Sequence, residues 1–108
     1  MRISFFAGDT ITIRFSAVDA LGSALNLENM TIEWALSKPS KTVELISKTV
    51  GSGITITDAD GGLFEIRLMP TETQSLDGEY YQEVQISEGG IISTIYAGSV
   101  HITKTLIP

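Results

Sequence analysis

The sequence predicts an all-β protein, a sandwich or barrel of about eight strands, and three observations indicate this class. The 108 residues include 14 Ile, 12 Thr and 5 Val, and these β-branched side chains suit half-buried strands better than helices. Apolar and polar residues alternate with a period of two in most segments, which is the periodicity of a strand. Turn-forming residues recur every ~8 to 12 positions, as they do in sandwiches and barrels.

The alternation and the turn residues place each strand. Trp34 is the expected large core residue of the third strand, and Ile46 breaks the alternation of the fourth, which indicates a bulge or a shifted register. Residues 70–76 are predicted to connect two strands through one helical turn, for which Thr71 is a plausible cap. The predicted strands are residues 2–6, 10–17, 31–37, 42–48, 54–57, 63–69, 79–87 and 91–105.

Composition excludes several classes of function. A chain of 108 residues is shorter than the ~150 residues of a typical domain, so we expect one domain spanning residues 1–108. The chain has no Cys, which excludes disulfides, thiolate zinc sites and cysteine nucleophiles. A net charge of −6 disfavours nucleic acid and anionic membrane surfaces as partners. Apolar runs are too short for a membrane-spanning helix or a signal peptide, so we expect a soluble protein made in the cytoplasm.

The segment Asp58–Gly62 is the best candidate for a metal site. Carboxylates two residues apart in a Gly-rich loop can converge on calcium, with Asp9 or Asp77 supplying further ligands. Asp and Gly are also the residues that hairpin turns require. We therefore interpret the segment as a turn and predict no metal and no cofactor.

Catalysis is the weakest hypothesis for this sequence. His101 is the only histidine, and no Gly-x-Ser-x-Gly elbow accompanies it, so a surface histidine is the expected role. Glu65, Glu79 and Glu83 are formal candidates for a glycosidase pair, but a small sandwich offers little cleft for a sugar chain. We predict that the protein is not an enzyme and has no catalytic residue.

The last predicted strand is the most informative for function. No Asp, Glu, Lys or Arg occurs from Gly89 through Thr103, although a solvated face usually alternates with charge. Interface cores are depleted in charge, so one face of this strand is predicted to dock on another subunit. The alternative is a central strand shielded by its neighbours. The predicted interface residues are Ile91, Ser93, Ile95, Ala97, Ser99 and His101.

Seven segments occur in an order that resembles a known family. They span about residues 7 to 104 and resemble the immunoglobulin-like domains of tailed-phage and prophage structural proteins, including the amino-terminal domain of siphophage upper baseplate proteins. This resemblance implies an immunoglobulin-like antiparallel β-sandwich of about seven to eight strands. The segments are Gly8-Asp9-Thr10, Asp19-Ala20-Leu21-Gly22, Leu25-Asn26-Leu27-Glu28-Asn29-Met30-Thr31-Ile32, Gly53-Ile54-Thr55-Ile56-Thr57-Asp58, Gly62-Leu63-Phe64-Glu65-Ile66, Gly78-Glu79-Tyr80 and Gly98-Ser99-Val100.

The sequence also departs from the family pattern at two places. The segment matching residues 26–30 usually reads like Asp-Leu-Thr-Gly, but this chain has no Gly there. An apolar or aromatic residue usually stands at the position of Gln82. The segment around Tyr80 resembles the tyrosine corner of Greek-key sandwiches, in which the hydroxyl bonds backbone a few residues upstream.

The resemblance implies a non-enzymatic virion protein: a tail, neck or baseplate adaptor, or a capsid decoration protein. Its expected partners are other virion proteins or copies of itself, in a homo-oligomer or symmetric assembly within the particle. The alternative is a carbohydrate- or receptor-binding module on the host-facing side. Tyr81, Glu83 and Gln85 are the residues that favour this alternative.

Overall fold

The computed structural model describes residues 2–106, which form eight strands and one short helix. Two predicted strands, 2–6 and 31–37, have the observed bounds, and the others differ by one or two residues at one or both ends. The described residues contain no helix that is long and apolar enough to span a membrane. The elements are β1 (Arg2–Phe6), β2 (Ile11–Ser16), β3 (Thr31–Ser37), β4 (Glu44–Val50), β5 (Gly53–Asp58), β6 (Leu63–Leu68), α1 (Pro70–Thr73), β7 (Gly78–Glu88) and β8 (Ile91–Thr103).

The strands form one curled sheet in the order β1-β8-β7-β3-β4-β5-β6-β2. Strand β4 pairs with β5 at only two positions, Thr49 with Gly53 and Val50 with Ile54. The sheet therefore divides into two layers that enclose one core. One layer consists of β1, β8, β7, β3 and β4, and the other consists of β5, β6 and β2.

This strand order is the immunoglobulin arrangement. Strands β2, β6 and β5 take the places of strands B, E and D, and β8, β7, β3 and β4 take those of G, F, C and C′ in a variable-type domain. The predicted all-β sandwich of seven to eight strands is thus confirmed. It is not wholly antiparallel, because β1 runs parallel to β8 and β4 runs parallel to β5. Both parallel pairs occur where the chain changes layers, at residues 7–10 and 51–52.

The core lies between the two layers. Trp34 and Phe64 are its largest fully buried side chains. The ring of Phe15 stacks on Phe64 with centroids 5.3 Å apart, and it contacts Tyr96 at 4.9 Å. Each fully buried large apolar side chain contributes about 1.5–3 kcal/mol of transfer free energy, so this core holds the sandwich together without disulfides. Other buried members include Leu27, Ile32, Leu36, Ile54, Ile66, Leu68, Val84, Val100 and Ile102.

Gln82, the polar departure from the family pattern, is fully buried. Its Oε1 accepts a hydrogen bond from Trp34 Nε1 at 2.9 Å. A buried indole N–H requires a partner, and Gln82 supplies it from the neighbouring strand. The inner face of β7 is therefore buried along its length despite this polar residue.

Two predicted local features depend on the backbone. The Tyr80 hydroxyl accepts a hydrogen bond from Asp77 N–H at 3.0 Å and lies 3.4 Å from Asp77 O, to which it donates, so the tyrosine corner is confirmed. In the 26–30 turn, Asn29 adopts a φ of 64°. Asn is the residue that tolerates this left-handed conformation best after Gly, which explains how the turn forms without glycine.

The helix α1 begins one residue earlier than its predicted cap. Thr71 lies inside the helix, and the first turn is instead closed by Glu72, whose Oε1 accepts a hydrogen bond from Met69 N–H at 2.8 Å. Thr71 as the cap was therefore wrong. Glu72 Oε2 also accepts a hydrogen bond from Lys48 Nζ at 2.5 Å. This ion pair ties β4 to the connection between β6 and β7.

The bulge predicted in the fourth strand is confirmed. Leu36 pairs with Ile46, but the next residue, Ser37, pairs with Glu44. Leu45 is therefore an extra residue in β4, and it is 41% exposed. A bulge of this kind bends a strand and disrupts its ladder locally.

Candidate functional site

The β7–β8 hairpin and the long loop between β2 and β3 meet at one end of the sandwich. The hairpin reverses at Gly89 and Gly90, both of which have positive φ. Thr31 pairs with Ser87, which brings the loop against the hairpin. We call this region, made of residues 17–30 and 86–95, the hairpin end.

An apolar cleft of about 440 Å³ opens at the hairpin end. Clefts of ~300–1,000 Å³ are the usual size of binding pockets. The cleft lies between the loop and the hairpin, so both segments contribute its walls. Its apolar lining residues are Val18, Leu25, Met30, Ile86, Ile91 and Ile95, and its polar ones are Asp19, Ser87, Glu88 and Ser93.

Gly62 fixes the loop that forms one wall of this cleft. A Cβ at Gly62 would lie 2.5 Å from Ala17 O, and its φ of +70° favours glycine. Ala17 N–H donates to Gly62 O at 2.8 Å, and Leu25 N–H donates to Ala17 O at 3.0 Å. The position of Leu25 in the cleft wall thus depends on a close approach of three backbone segments.

The rim of the cleft is acidic. Asp19 Oδ1 accepts hydrogen bonds from Leu21 N–H at 2.8 Å and from Ser23 N–H at 3.0 Å. These bonds hold the carboxylate at the loop tip, and Glu88 lies on the hairpin side. The described residues that line the cleft include no Lys, Arg or His.

Several large apolar side chains at the hairpin end face solvent. Leu21 is 91% exposed, Ile91 75% and Ile92 66%. Single exposed apolar residues are common, but a cluster beside an apolar cleft marks a site of interaction. The geometry therefore favours a binding surface at this end.

The six predicted interface residues do not share one face, and that part of the prediction was wrong. Val84 pairs with Tyr96, but the next residue, Gln85, pairs with Thr94, so Ile95 is an extra residue in β8. This bulge reverses the parity of the strand toward the turn. Ile91, Ser93 and Ile95 consequently line the cleft, whereas Ala97, Ser99 and His101 lie on the outer face of the larger layer.

On that outer face, His101 belongs to a polar cluster. Glu79 Oε1 lies 2.9 Å from His101 Nδ1 and 2.8 Å from an Arg2 guanidinium nitrogen. All three side chains are substantially exposed. The cluster joins β1, β7 and β8 at the surface, which agrees with the expected surface role of His101.

The residues that favoured a carbohydrate site are also on the outer face. Tyr81 OH donates a hydrogen bond to Glu83 Oε2 at 2.8 Å, and this bond, together with partial burial, raises the pKa of Tyr81. Lys41 Nζ lies 4.2 Å from the centroid of the Tyr81 ring. Gln85 instead bonds Thr94 Oγ1 through its Nε2 at 3.3 Å. Because Lys41 covers one face of the ring, that face is closed to a stacking sugar.

The segment Asp58–Gly62 forms a turn. Asp58 Oδ1 accepts a hydrogen bond from Gly61 N–H at 3.1 Å, as turn-forming Asp residues do. Residues 2–106 contain no group of three or more His, Asp or Glu side chains placed to hold a metal ion. Asp9 and Asp77 therefore do not complete a site with Asp58 and Asp60.

No family model matches this sequence, and no curated protein matches it.

Sequence reasoning missed the loop residues of the cleft. The segment between the predicted strands 10–17 and 31–37 was interpreted from its turn-forming residues. It contains Val18, Leu25 and Met30. Their signal was the presence of large apolar side chains in a stretch without strand periodicity. Such residues need a buried or partner-covered environment, and here they line the cleft.

Proposed function

We propose that this protein is a structural component of a tailed-phage virion that binds neighbouring subunits through its hairpin end. It acts as a tail, neck or baseplate adaptor or as a capsid decoration protein, without catalysis. The observation that supports this proposal is the absence of Asp, Glu, Lys and Arg from β8, with Ile91 and Ile92 exposed beside an apolar cleft. The virion setting is supported by the resemblance of the turn and strand segments across residues 7–104.

The size of the hairpin end fits a repeated assembly. A contact made by the exposed apolar side chains Leu21, Ile91 and Ile92 involves far fewer residues than the ~20–30 that each partner contributes to a stable binary complex. Each contact is therefore weak by itself. Particle symmetry repeats the contact in many copies, and linked weak contacts bind strongly together.

Particle composition tests this proposal. Phage particles are purified from the organism that carries the gene, and the protein is quantified by mass spectrometry against the major capsid protein. We expect a fixed ratio that corresponds to a symmetric number of copies per particle. Absence of the protein from intact particles would contradict the proposal.

A glycan array separates this function from receptor binding. The purified protein is expected to give no specific signal, because Lys41 covers one face of the Tyr81 ring. Specific binding that is lost in a Tyr81→Ala variant would favour the carbohydrate-binding alternative.

A further inference from the structure

We infer that the cleft at the hairpin end receives a segment of a different protein in which a large apolar side chain lies next to a lysine or arginine. This inference rests on the proposed function, since it names the chemistry of the partner at the same surface.

The cleft lining accounts for the apolar part of this segment. Leu25, Met30 and Ile86 line the cleft together with Ile91 and Ile95 of the hairpin. The volume of about 440 Å³ is at the lower end of the ~300–1,000 Å³ range of binding clefts. It therefore suits a few side chains of a peptide rather than a whole helix bundle or domain.

The rim accounts for the basic part. Asp19 is held at the loop tip by two backbone N–H groups, and Glu88 lies on the opposite wall. No cation among the described lining residues neutralises these carboxylates. A lysine or arginine of the incoming segment would complement this acidic rim, and complementary charge at a rim steers association and fixes orientation.

The same charges disfavour a second copy of this chain as the occupant. Each copy has a net charge of −6 and presents the same acidic rim, so two hairpin ends repel each other. The hairpin itself offers no Lys or Arg between Gly89 and Thr103. The partner must therefore bring the positive charge from elsewhere.

Selection from a library of random 12-residue peptides displayed on yeast tests the inference. The bait is the full chain. We expect the enriched peptides to contain Lys or Arg within two positions of Leu, Ile, Val, Met or Phe. In NMR spectra, a selected peptide should shift the amide signals of Leu25, Met30, Ile86 and Ser93 more than those of the outer face.

Two matched pairs of variants locate the binding. Ser93→Phe fills the cleft and should weaken the selected peptide at least about tenfold, whereas Thr94→Phe, on the outer face one residue away, should leave it unchanged. Glu88→Lys should weaken binding about fivefold, which corresponds to a rim charge contribution of the usual size. Glu44→Lys makes the same charge change beside Ser37, at the other end of β3, and should have no effect.

Three results would overturn the inference. One is enrichment of neutral or acidic peptides, or of none. Another is equal weakening by Ser93→Phe and Thr94→Phe. The third is a concentration-dependent shift of the cleft signals in the protein alone, which would identify a second copy as the occupant. Each of these results is compatible with the protein being present in particles, so failure here is distinguishable from failure of the proposed function.

Discussion

The β4 edge, residues 43–48, and the hairpin end both expose apolar side chains and both contain a bulge, yet they differ in where their charges lie. Val43 is 66% exposed, as is Ile92 at the hairpin end, and Leu45 is 41% exposed. The β4 edge contains Glu44 and Lys48 and is bent by a bulge. Inward charges and bulges are the devices that prevent edge strands from pairing with other chains.

The hairpin end carries its acidic residues, Asp19 and Glu88, at the rim of the cleft rather than along its last strand. Its strand β8 contains no Asp, Glu, Lys or Arg. The bulge at Ile95 directs Ile91 and Ile95 toward the cleft. The bulge in β4 instead interrupts an exposed strand edge. The difference teaches that exposed apolar area alone does not indicate a binding surface, whereas exposed apolar residues on a strand without charges favour one.

The largest expected effect comes from removing the support of the hairpin end. Gly62→Ala should lower the free energy of unfolding by about 3 kcal/mol, because the new Cβ meets Ala17 O and the φ is positive. Chemical denaturation measures the loss. Gly22→Ala is the control, since its Cβ meets nothing within 4 Å, and it should cost only about 1 kcal/mol for positive φ. Equal losses in the two variants would show that Gly62 is not needed for the close approach.

The next effect tests the protection of the β4 edge. Lys48 and Glu72 form an ion pair whose side chains are 12% and 27% exposed. Lys48→Met should lower stability by about 1 kcal/mol near neutral pH, because Glu72 loses its partner in a mostly buried position. Lys38→Met, at an exposed position, is the control and should change stability little.

The same pair gives a pH dependence. Burial alone would raise the pKa of Glu72, but the hydrogen bonds from Lys48 and Met69 N–H, together with the charge of Lys48, lower it. A carboxyl with a lowered folded pKa stabilises the protein above its unfolded pKa of about 4.3, and this stability is lost as pH falls through the folded value. Denaturation at a series of pH values should show this loss in the native chain and a smaller one in Lys48→Met. The same acid loss in both would contradict this role of the pair.

Sedimentation of Lys48→Met sharpens the comparison further. If Lys48 protects the β4 edge, the variant should associate at high protein concentration while the native chain does not associate through that edge. Adding Leu45→Lys to the variant should restore the original behaviour. A monomeric Lys48→Met protein at every concentration would show that the bulge alone is sufficient protection.

The smallest expected effect is at the tyrosine corner. Tyr80→Phe should lower the free energy of unfolding by about 1 kcal/mol, because the part-buried hydrogen bonding between the Tyr80 hydroxyl and the Asp77 backbone is lost. Tyr81→Phe removes an outer-face hydroxyl instead and should cost less. Since β7 begins at the end of the sandwich opposite the hairpin turn, neither variant should alter peptide binding. A binding defect in Tyr80→Phe would show that the two ends are coupled.

The fold was largely predictable from sequence, and the cleft was not, for a physical reason. In β3, Ile32 and Trp34 alternate with Thr31 and Glu33. The apolar residues therefore identify the inner face of the strand, and the polar and charged residues identify the outer face. In β8, Ile and Thr occur on both parities, and without charges the alternation does not reveal the bulge at Ile95. The alternation therefore assigned Ile91, Ser93 and Ile95 to the outer face, whereas the bulge places them at the cleft.

The cleft also depends on contacts between distant segments. Val18 and Leu25 reach Ile86 and Ile91 only because Gly62 lets the loop approach β6 closely. The left-handed φ of Gly62 has a local sequence signal, the Asp-Ala-Asp-Gly-Gly turn. The tertiary fold determines which backbone segments approach Gly62, and no local sequence pattern indicates them.

Incorporation of variant proteins into phage particles tests the central claim most directly. Ile92→Lys places a charge on the exposed hairpin, and Leu45→Lys places the same charge on the exposed β4 edge. We predict that the copy number of Ile92→Lys in purified particles falls at least about tenfold, which equals about 1.4 kcal/mol of lost contact energy, while Leu45→Lys is incorporated like the native protein. Normal incorporation of Ile92→Lys, or loss of Leu45→Lys instead, would contradict the claim that the hairpin end is the binding surface.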